Sequence, residues 1–172
     1  MLKRKISNLI QRFADTKKTV AGAESCTAGL VSSLIAGIPG ASRVFWGSYI
    51  CYTPDAKQRM LGVGEDILGK YGVVSSETAC AMAEGALKNS GADYAFSVTG
   101  LAGPSGDGSD NPVGTVWIAL AQSGEKTHSL YFHFTGSRNR VQRKAAVKIL
   151  DELIKISTKF PVEMDNGNCE KR

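Results

Sequence analysis

A strand-to-helix junction near the N-terminus constrains the fold of this chain more than any other stretch. Residues 19–23, Thr-Val-Ala-Gly-Ala, are small and apolar enough for a buried strand, and residues 30–36 have the pattern of a helix. Glu-Ser-Cys-Thr lies directly after the strand. Backbone N–H groups at a helix start stabilise negative charge. The junction therefore leaves two interpretations of Ser25, a nucleophile or a simple helix N-cap.

Helix and strand signals alternate along the rest of the chain. Strands are predicted in four further segments: 44–52, 94–99, 113–122 and 129–134. Helices are predicted over 2–16, 53–61, 65–70 and 77–89, and from residue 137 onward. The last two strands, joined by a turn, are expected to form an antiparallel hairpin. This order predicts an α/β fold, a three-layer α/β/α domain with a mixed, mostly parallel sheet.

The composition is that of one globular domain. Apolar residues make up 42% of the 172 residues and charged residues 22%. No apolar run approaches the roughly 20 residues of a membrane span, and the basic N-terminus lacks the apolar core of a signal peptide. We therefore expect a single domain over residues 1–160, a flexible C-terminal tail over 161–172, no membrane association and a cytoplasmic location.

Charge and cysteine spacing argue against two further classes of function. The net charge of +5 is mild and concentrated near the ends of the chain, which is weak support for nucleic-acid binding, and no nucleic-acid partner is expected. The cysteines show no spacing typical of a zinc site or of a disulfide framework: Cys26, Cys51, Cys80 and Cys169. No cofactor is expected.

Tyr52 and Lys57 flank a strong helix start. If Thr53 is the N-cap, these two residues contact each other as in a hydrophobic staple. The positive end of the helix dipole would then lower the pKa of Lys57 towards that of a general base. In the alternative, Tyr52 packs over the lysine stem and the ammonium stays in water. Placed beside Ser25, the pair would form a Ser–Lys hydrolase site.

Other polar segments leave alternatives open. Cys26 is a rival nucleophile, but it lacks a histidine partner, because His128 and His133 lie on a late strand. The glycine-rich segment 100–108 follows a strand, so it is either a ligand-binding loop or a flexible turn. The basic residues of segment 137–144 indicate either a solvated surface or a site for an anionic ligand.

Five blocks of this sequence together resemble the CinA C-terminal domain family. They are Ala-Glu-Ser-Cys-Thr-Ala-Gly at 23–29, Tyr-Thr-Pro-Asp-Ala-Lys at 52–57, Tyr-Gly-Val-Val-Ser at 71–75, Val-Thr-Gly-Leu-Ala-Gly-Pro at 98–104 and Pro-Val-Gly-Thr-Val-Trp at 112–117. The similarity extends in order over residues 5–156. It implies a three-layer α/β/α fold, no metal, and homo-oligomers. The larger N-terminal domain of some members has no counterpart, so the stand-alone form is expected.

The resemblance also implies an activity. The family is known for nicotinamide-nucleotide amidase, which converts nicotinamide mononucleotide into nicotinate mononucleotide and ammonia in pyridine-nucleotide salvage. Its proposed catalytic serine, tyrosine and lysine match Ser25, Tyr52 and Lys57. The backbone N–H groups of Cys26 and Thr27, at the expected helix start, would hold the oxyanion. The expected substrate-binding residues are Thr99, Gly100, Ala102, Gly103 and Arg140.

Two departures from the family pattern bear on substrate fit. Ala28 and Ser105 stand where members usually carry glycine. Two other functions therefore stay open: a catalytically silent module that binds pyridine nucleotides, and an amidase for another small amide.

Overall fold

The computed structural model describes residues 2–159 and contains a five-stranded sheet between two layers of helices. The strands are β1 (Val20–Glu24), β2 (Phe45–Ile50), β3 (Tyr94–Gly100), β4 (Thr115–Gln122) and β5 (His128–His133). The helices are α1 (Leu2–Asp15), α2 (Leu30–Ala36), α3 (Pro54–Leu61), α4 (Glu65–Tyr71), α5 (Ser76–Ser90) and α6 (Arg138–Ser157). Every predicted strand and helix within the described residues is present. The predicted tail, residues 161–172, lies outside them.

The order of the strands is β2-β1-β3-β4-β5. β1 pairs in parallel with both β2 and β3, whereas β4 is antiparallel to β3 and to β5. Only β4 therefore runs against the other strands. This confirms the mixed, mostly parallel sheet and the hairpin of the last two strands.

The two faces of the sheet have different packing. On one face, large apolar side chains of the central strands pack against α1, α2 and α6: Phe96, Val98, Val116 and Ile118. The other face packs mainly against α5 and presents small side chains: Ala21, Ala23, Ala95, Ala119 and Ala121. On the outer side of α5, Gly85 lies against α3, and a Cβ at Gly85 would be 2.1 Å from the Leu61 carbonyl oxygen. This close contact sets the position of α3.

The carboxyl ends of β1, β2 and β3 meet at one edge of the sheet because these strands are parallel. From β1 the chain enters β2 through α2, and from β2 it crosses through α3, α4 and α5 to reach β3 on the other side of β1. In open α/β sheets, ligands bind where the connections diverge in this way. The edge beyond β1 is therefore the first place to look for a site.

Candidate active site

A buried carboxylate shapes the turn after β1. Glu24 is fully buried, and its Oε2 accepts hydrogen bonds from Thr27 Oγ1 at 2.7 Å, Gly29 N at 3.0 Å and Val31 N at 3.1 Å. Its Oε1 accepts from the backbone N and the hydroxyl of Ser32 at 2.8 and 2.5 Å. The negative charge thus lies at the positive end of α2, where the helix dipole favours it. Sequence patterns did not single out Glu24 for this role.

This arrangement corrects two expectations for the junction. The N-cap of α2 is Gly29, so Ser25 is not the N-cap, because a turn separates it from the helix. The N–H groups at the helix start itself do not remain for an oxyanion, because Glu24 takes them. Among residues 2–159, no described backbone–backbone hydrogen bond uses the N–H of Cys26 or Thr27. These two N–H groups therefore stay candidates for holding an oxyanion.

Lys57 points into the protein and meets Ser25. Its side chain is only 1% exposed, and Nζ donates to Ser25 Oγ at 2.9 Å and to the Cys51 carbonyl oxygen at 2.9 Å. The interpretation of a solvated ammonium is therefore wrong. Burial lowers the pKa of Lys57 from its ordinary 10.5, because desolvation penalises the charged form, while the nearby Cys51 and Cys26 thiols act in the opposite direction.

Tyr52 lies at the rim of the same site but has another partner. The residue is 52% exposed, and its hydroxyl accepts a hydrogen bond from the Arg138 guanidinium. The hydrogen bonds of Lys57 go to Ser25 and Cys51, so the expected contact between phenol and amine is not among them. A second nitrogen of Arg138 donates to the Gly103 carbonyl oxygen at 2.8 Å.

Arg138 occupies the place that was expected for Arg140. Arg138 lines the cavity around Ser25 and Arg140 does not. Residues two apart on an α-helix point about 200° away from each other, so only one of the two arginines can face this edge. Arg140 packs instead over Gly136, where a Cβ would be 2.6 Å from Arg140 Cδ. In the sequence, the basic segment at the start of α6 indicated either a solvated surface or a site for an anionic ligand, but it did not indicate which arginine faces inward.

These groups surround a cavity of about 240 Å³. Ser25, Lys57 and Tyr52 line it, and so do four expected substrate-binding residues at the end of β3 and just after it: Thr99, Gly100, Ala102 and Gly103. The Thr99 hydroxyl donates to the Val73 carbonyl oxygen at 2.7 Å, so its proton is already used. The segment between β3 and β4, residues 101–114 and here called the β3–β4 loop, also brings polar side chains to the wall.

Cys26 is a poor rival for Ser25. Its side chain is buried, and burial raises the pKa of the thiol to about 12, which keeps it protonated near neutral pH. His128 and His133 lie on β5, at the far edge of the sheet, and neither lines the cavity. Within the described residues, no group of three or more His, Cys, Asp or Glu side chains could hold a metal ion.

Ala28 adopts a backbone conformation that favours glycine. Its φ of 51° lies in the left-handed region. This chain thus has alanine, where family members usually have glycine, at a position whose backbone is left-handed. The residue lies in the turn between Ser25 and α2, next to the N-cap Gly29.

Comparison with known sequences identifies relatives along nearly the whole chain. The sequence model of the CinA C-terminal domain family matches residues 3–157. A CinA-like protein of Thermotoga maritima is 44% identical over 147 residues, which are 86% of this chain and 36% of that protein. A CinA-like protein of Geobacter metallireducens is 47% identical over 141 residues, covering 82% of this chain and 34% of that protein. The chain thus spans about a third of the length of these curated relatives.

Solved structures have the same fold. The competence/damage inducible protein CihA from Agrobacterium tumefaciens aligns with a TM-score of 0.86 and 35% identity, covering 90% of this chain and 94% of that chain. A competence-damaged protein (CinA) superfamily protein from Escherichia coli aligns with a TM-score of 0.87 and 29% identity, covering 91% of this chain and 90% of that chain.

Within residues 2–159, no helix combines the length and apolar character needed to cross a membrane.

Proposed function

This chain belongs to the CinA C-terminal domain family, and we propose that its cavity hydrolyses the carboxamide of nicotinamide mononucleotide to nicotinate mononucleotide and ammonia. One observation carries the proposal. The amine of a buried lysine, Lys57, lies 2.9 Å from the hydroxyl of Ser25 inside a cavity at the carboxyl edge of the sheet. A serine activated by a lysine is a known variant of the hydrolase triad.

The first half of the reaction acylates the serine. Lys57, whose pKa is lowered by burial, takes the hydroxyl proton of Ser25, and Oγ attacks the carboxamide carbon. The negative charge that develops on the carboxamide oxygen is held by the N–H groups of Cys26 and Thr27. The carbon–nitrogen bond then breaks, and the proton held by Lys57 passes to the leaving nitrogen, which departs as ammonia.

The second half releases the acid. A water molecule gives a proton to Lys57 and attacks the ester carbon, and the bond to Ser25 Oγ breaks as Oγ regains a proton. The products are the carboxylic acid and the free enzyme. Each turnover consumes one water and forms one ammonia.

Tyr52 has two roles open to it in this mechanism, orientation of Lys57 and relay of a proton to the departing ammonia, and the contacts favour the second. The Cys51 carbonyl and Ser25 already orient the Lys57 amine, which leaves little for Tyr52 to orient. Tyr52 lines the cavity and its hydroxyl contacts Arg138, another lining residue, which supports a role in relaying a proton to the departing ammonia. We assign Tyr52 this relay role.

The size and charge of the cavity suit the nucleotide. A volume of about 240 Å³ lies below the roughly 300 Å³ at which ordinary ligand pockets begin, so the cavity holds the carboxamide-bearing ring while the rest of the substrate extends outward. Arg138 lines the same cavity and offers a guanidinium to the phosphate. Gly100, Ala102 and Gly103 allow the backbone to approach the ligand closely.

The proposal includes a cytoplasmic homo-oligomer. Strand β2 forms one edge of the sheet, and on it Trp46 is 52% exposed and Ile50 41%. Apolar side chains on an exposed edge strand suit a contact with a second copy of the chain. Light scattering of the purified protein gives the mass that decides whether it assembles.

The direct test of the activity is incubation of the purified protein with nicotinamide mononucleotide. We expect ammonia and nicotinate mononucleotide to appear in equal amounts. Calorimetric binding of the nucleotide without ammonia would instead establish the silent binding module. Ammonia release from another small carboxamide in a substrate panel, with none from the nucleotide, would instead establish an amidase for another small amide.

A further inference from the structure

The β3–β4 loop brings a single carboxylate to the cavity. Asp107 is the only acidic side chain among the described residues that line it, and the cavity also contains the basic side chains of Lys57 and Arg138. The family resemblance assigned no role to this position. Asp107 is therefore an anionic group within a wall that is otherwise neutral or basic.

The carboxylate is held in place by its own loop. Asp107 Oδ1 accepts hydrogen bonds from the Ser109 hydroxyl at 2.6 Å and from the Ser109 backbone N at 3.0 Å. The hydrogen bond from the Ser109 side chain is the main reason why the pKa of Asp107 lies below its usual 3.8. Both contacts go to Oδ1, and Oδ2 takes part in neither.

We propose that Asp107 is a specificity-determining residue that selects carboxamides carried on a cationic ring, such as a pyridinium, over the same carboxamides on a neutral ring. The inference rests on the proposed function and deepens it. Arg138 repels a cationic ring in the same cavity, and a fixed carboxylate offsets that repulsion. A neutral ring gains nothing from the carboxylate.

Two substrates that differ in ring charge test this selection. Nicotinamide mononucleotide has a cationic ring, whereas its reduced form has a neutral dihydropyridine ring with the same carboxamide, ribose and phosphate. Because the two carboxamides differ in intrinsic reactivity, the quantity to compare is the variant-to-wild-type ratio of kcat/KM for each substrate. For Asp107→Asn, we expect this ratio to fall about tenfold for the oxidised nucleotide, mainly through KM, and to stay near one for the reduced nucleotide.

The matched control is Asp110→Asn, which removes an exposed carboxylate that does not line the cavity. We expect it to change neither ratio. An equal loss on both substrates in Asp107→Asn would overturn the proposal, because it would indicate a contact with the ribose or a structural role. Unchanged ratios on both would overturn it as well.

Failure of the proposed function is recognisable separately. If the wild-type protein releases ammonia from neither nucleotide, the same comparison is made with dissociation constants from calorimetry. Weaker binding of the oxidised nucleotide alone in Asp107→Asn would still support charge selection. Equal weakening of both nucleotides, or no change in either, would overturn it.

Discussion

Two segments leave the sheet at the same edge and line the same cavity, yet they are built very differently. The junction after β1, residues 24–32, begins with four buried residues and is held by five hydrogen bonds to one carboxylate, that of Glu24. The β3–β4 loop is exposed from residue 104 to residue 110, and its cavity-lining carboxylate, Asp107, accepts hydrogen bonds from the hydroxyl and the N–H of Ser109. Ser25 belongs to the first segment, whereas Ala102, Gly103 and Asp107 line the cavity from the second.

This difference has a physical reason. The proposed catalysis requires the nucleophile to stay within hydrogen-bond distance of the base. Five hydrogen bonds to the buried Glu24 carboxylate hold the junction that carries Ser25, at a cost in desolvation. A loop that adapts to a substrate tolerates exposure and sequence change. The departures of this chain from the family glycines fall in both segments, Ala28 in the first and Ser105 in the second.

The largest effect is expected for Lys57→Met, which keeps the apolar stem and removes the base. We expect kcat to fall by about 10³-fold or more, with a smaller change in KM, since removal of one member of a catalytic group has effects of this order. The measurement is steady-state ammonia release. Lys88→Met, at an exposed lysine in the last turn of α5, serves as the control and should retain full activity. A loss below tenfold in Lys57→Met would remove Lys57 as the base.

Glu24→Gln tests the rigidity of the junction. The amide nitrogen would meet N–H and O–H donors instead of accepting from them, so we expect the free energy of unfolding to fall by about 2–4 kcal/mol. Urea denaturation measures this change. The matched change in the β3–β4 loop, Asp107→Asn, should stay within about 0.5 kcal/mol of the wild type. Equal effects at the two sites would refute the contrast between the segments.

The pH profile is expected to report Lys57. Below its lowered pKa the amine is protonated and cannot take the Ser25 proton, so kcat/KM should rise about tenfold per pH unit and level off before pH 10.5. Stability should rise with pH in the next window, between that lowered pKa and 10.5, because the unfolded chain binds more protons there than the folded chain. A kcat/KM that does not change between pH 5 and 10 would contradict this assignment.

A smaller effect distinguishes the two arginines at the start of α6. Removing the guanidinium of Arg138 by Arg138→Ala should raise KM for the nucleotide about tenfold, because a charged contact at the cavity is lost. Arg140→Ala should change KM less than about twofold, since this side chain points away. Substrate titrations of both variants make the comparison. A larger rise in KM for Arg140→Ala than for Arg138→Ala would instead identify Arg140 as the substrate-binding arginine.

Sequence patterns predicted the elements well because their signals are local. Thr53-Pro54 started α3 as expected, and the side chain of Thr53 accepts a hydrogen bond from Ala56 N at 3.1 Å. Helical spacing also places five apolar residues of α6 on one inner face, of which four are buried and the last is half-buried: Val141, Ala145, Ile149, Leu153 and Ile156. Five family blocks at ordinary spacing then placed Ser25 and Lys57 in one site.

The partners of the site residues depended on tertiary geometry. Glu24 reaches N–H groups five to eight residues ahead only because the intervening turn folds back, and no local pattern describes that turn. Its position just before a helix start was a signal, since helix dipoles favour acids there. The hydrophobic-staple pattern predicted a contact between Tyr52 and Lys57. In the structure α3 packs against α5, and the Lys57 amine points inward to Ser25.

The central claim is that Ser25, and not its neighbour Cys26, attacks the carboxamide. The most direct measurement compares ammonia release from nicotinamide mononucleotide by Ser25→Ala and Cys26→Ser under identical conditions. The account predicts a loss of about 10³-fold or more in Ser25→Ala and a change of less than about tenfold in Cys26→Ser. Full activity in Ser25→Ala, together with loss of turnover in Cys26→Ser, would contradict it.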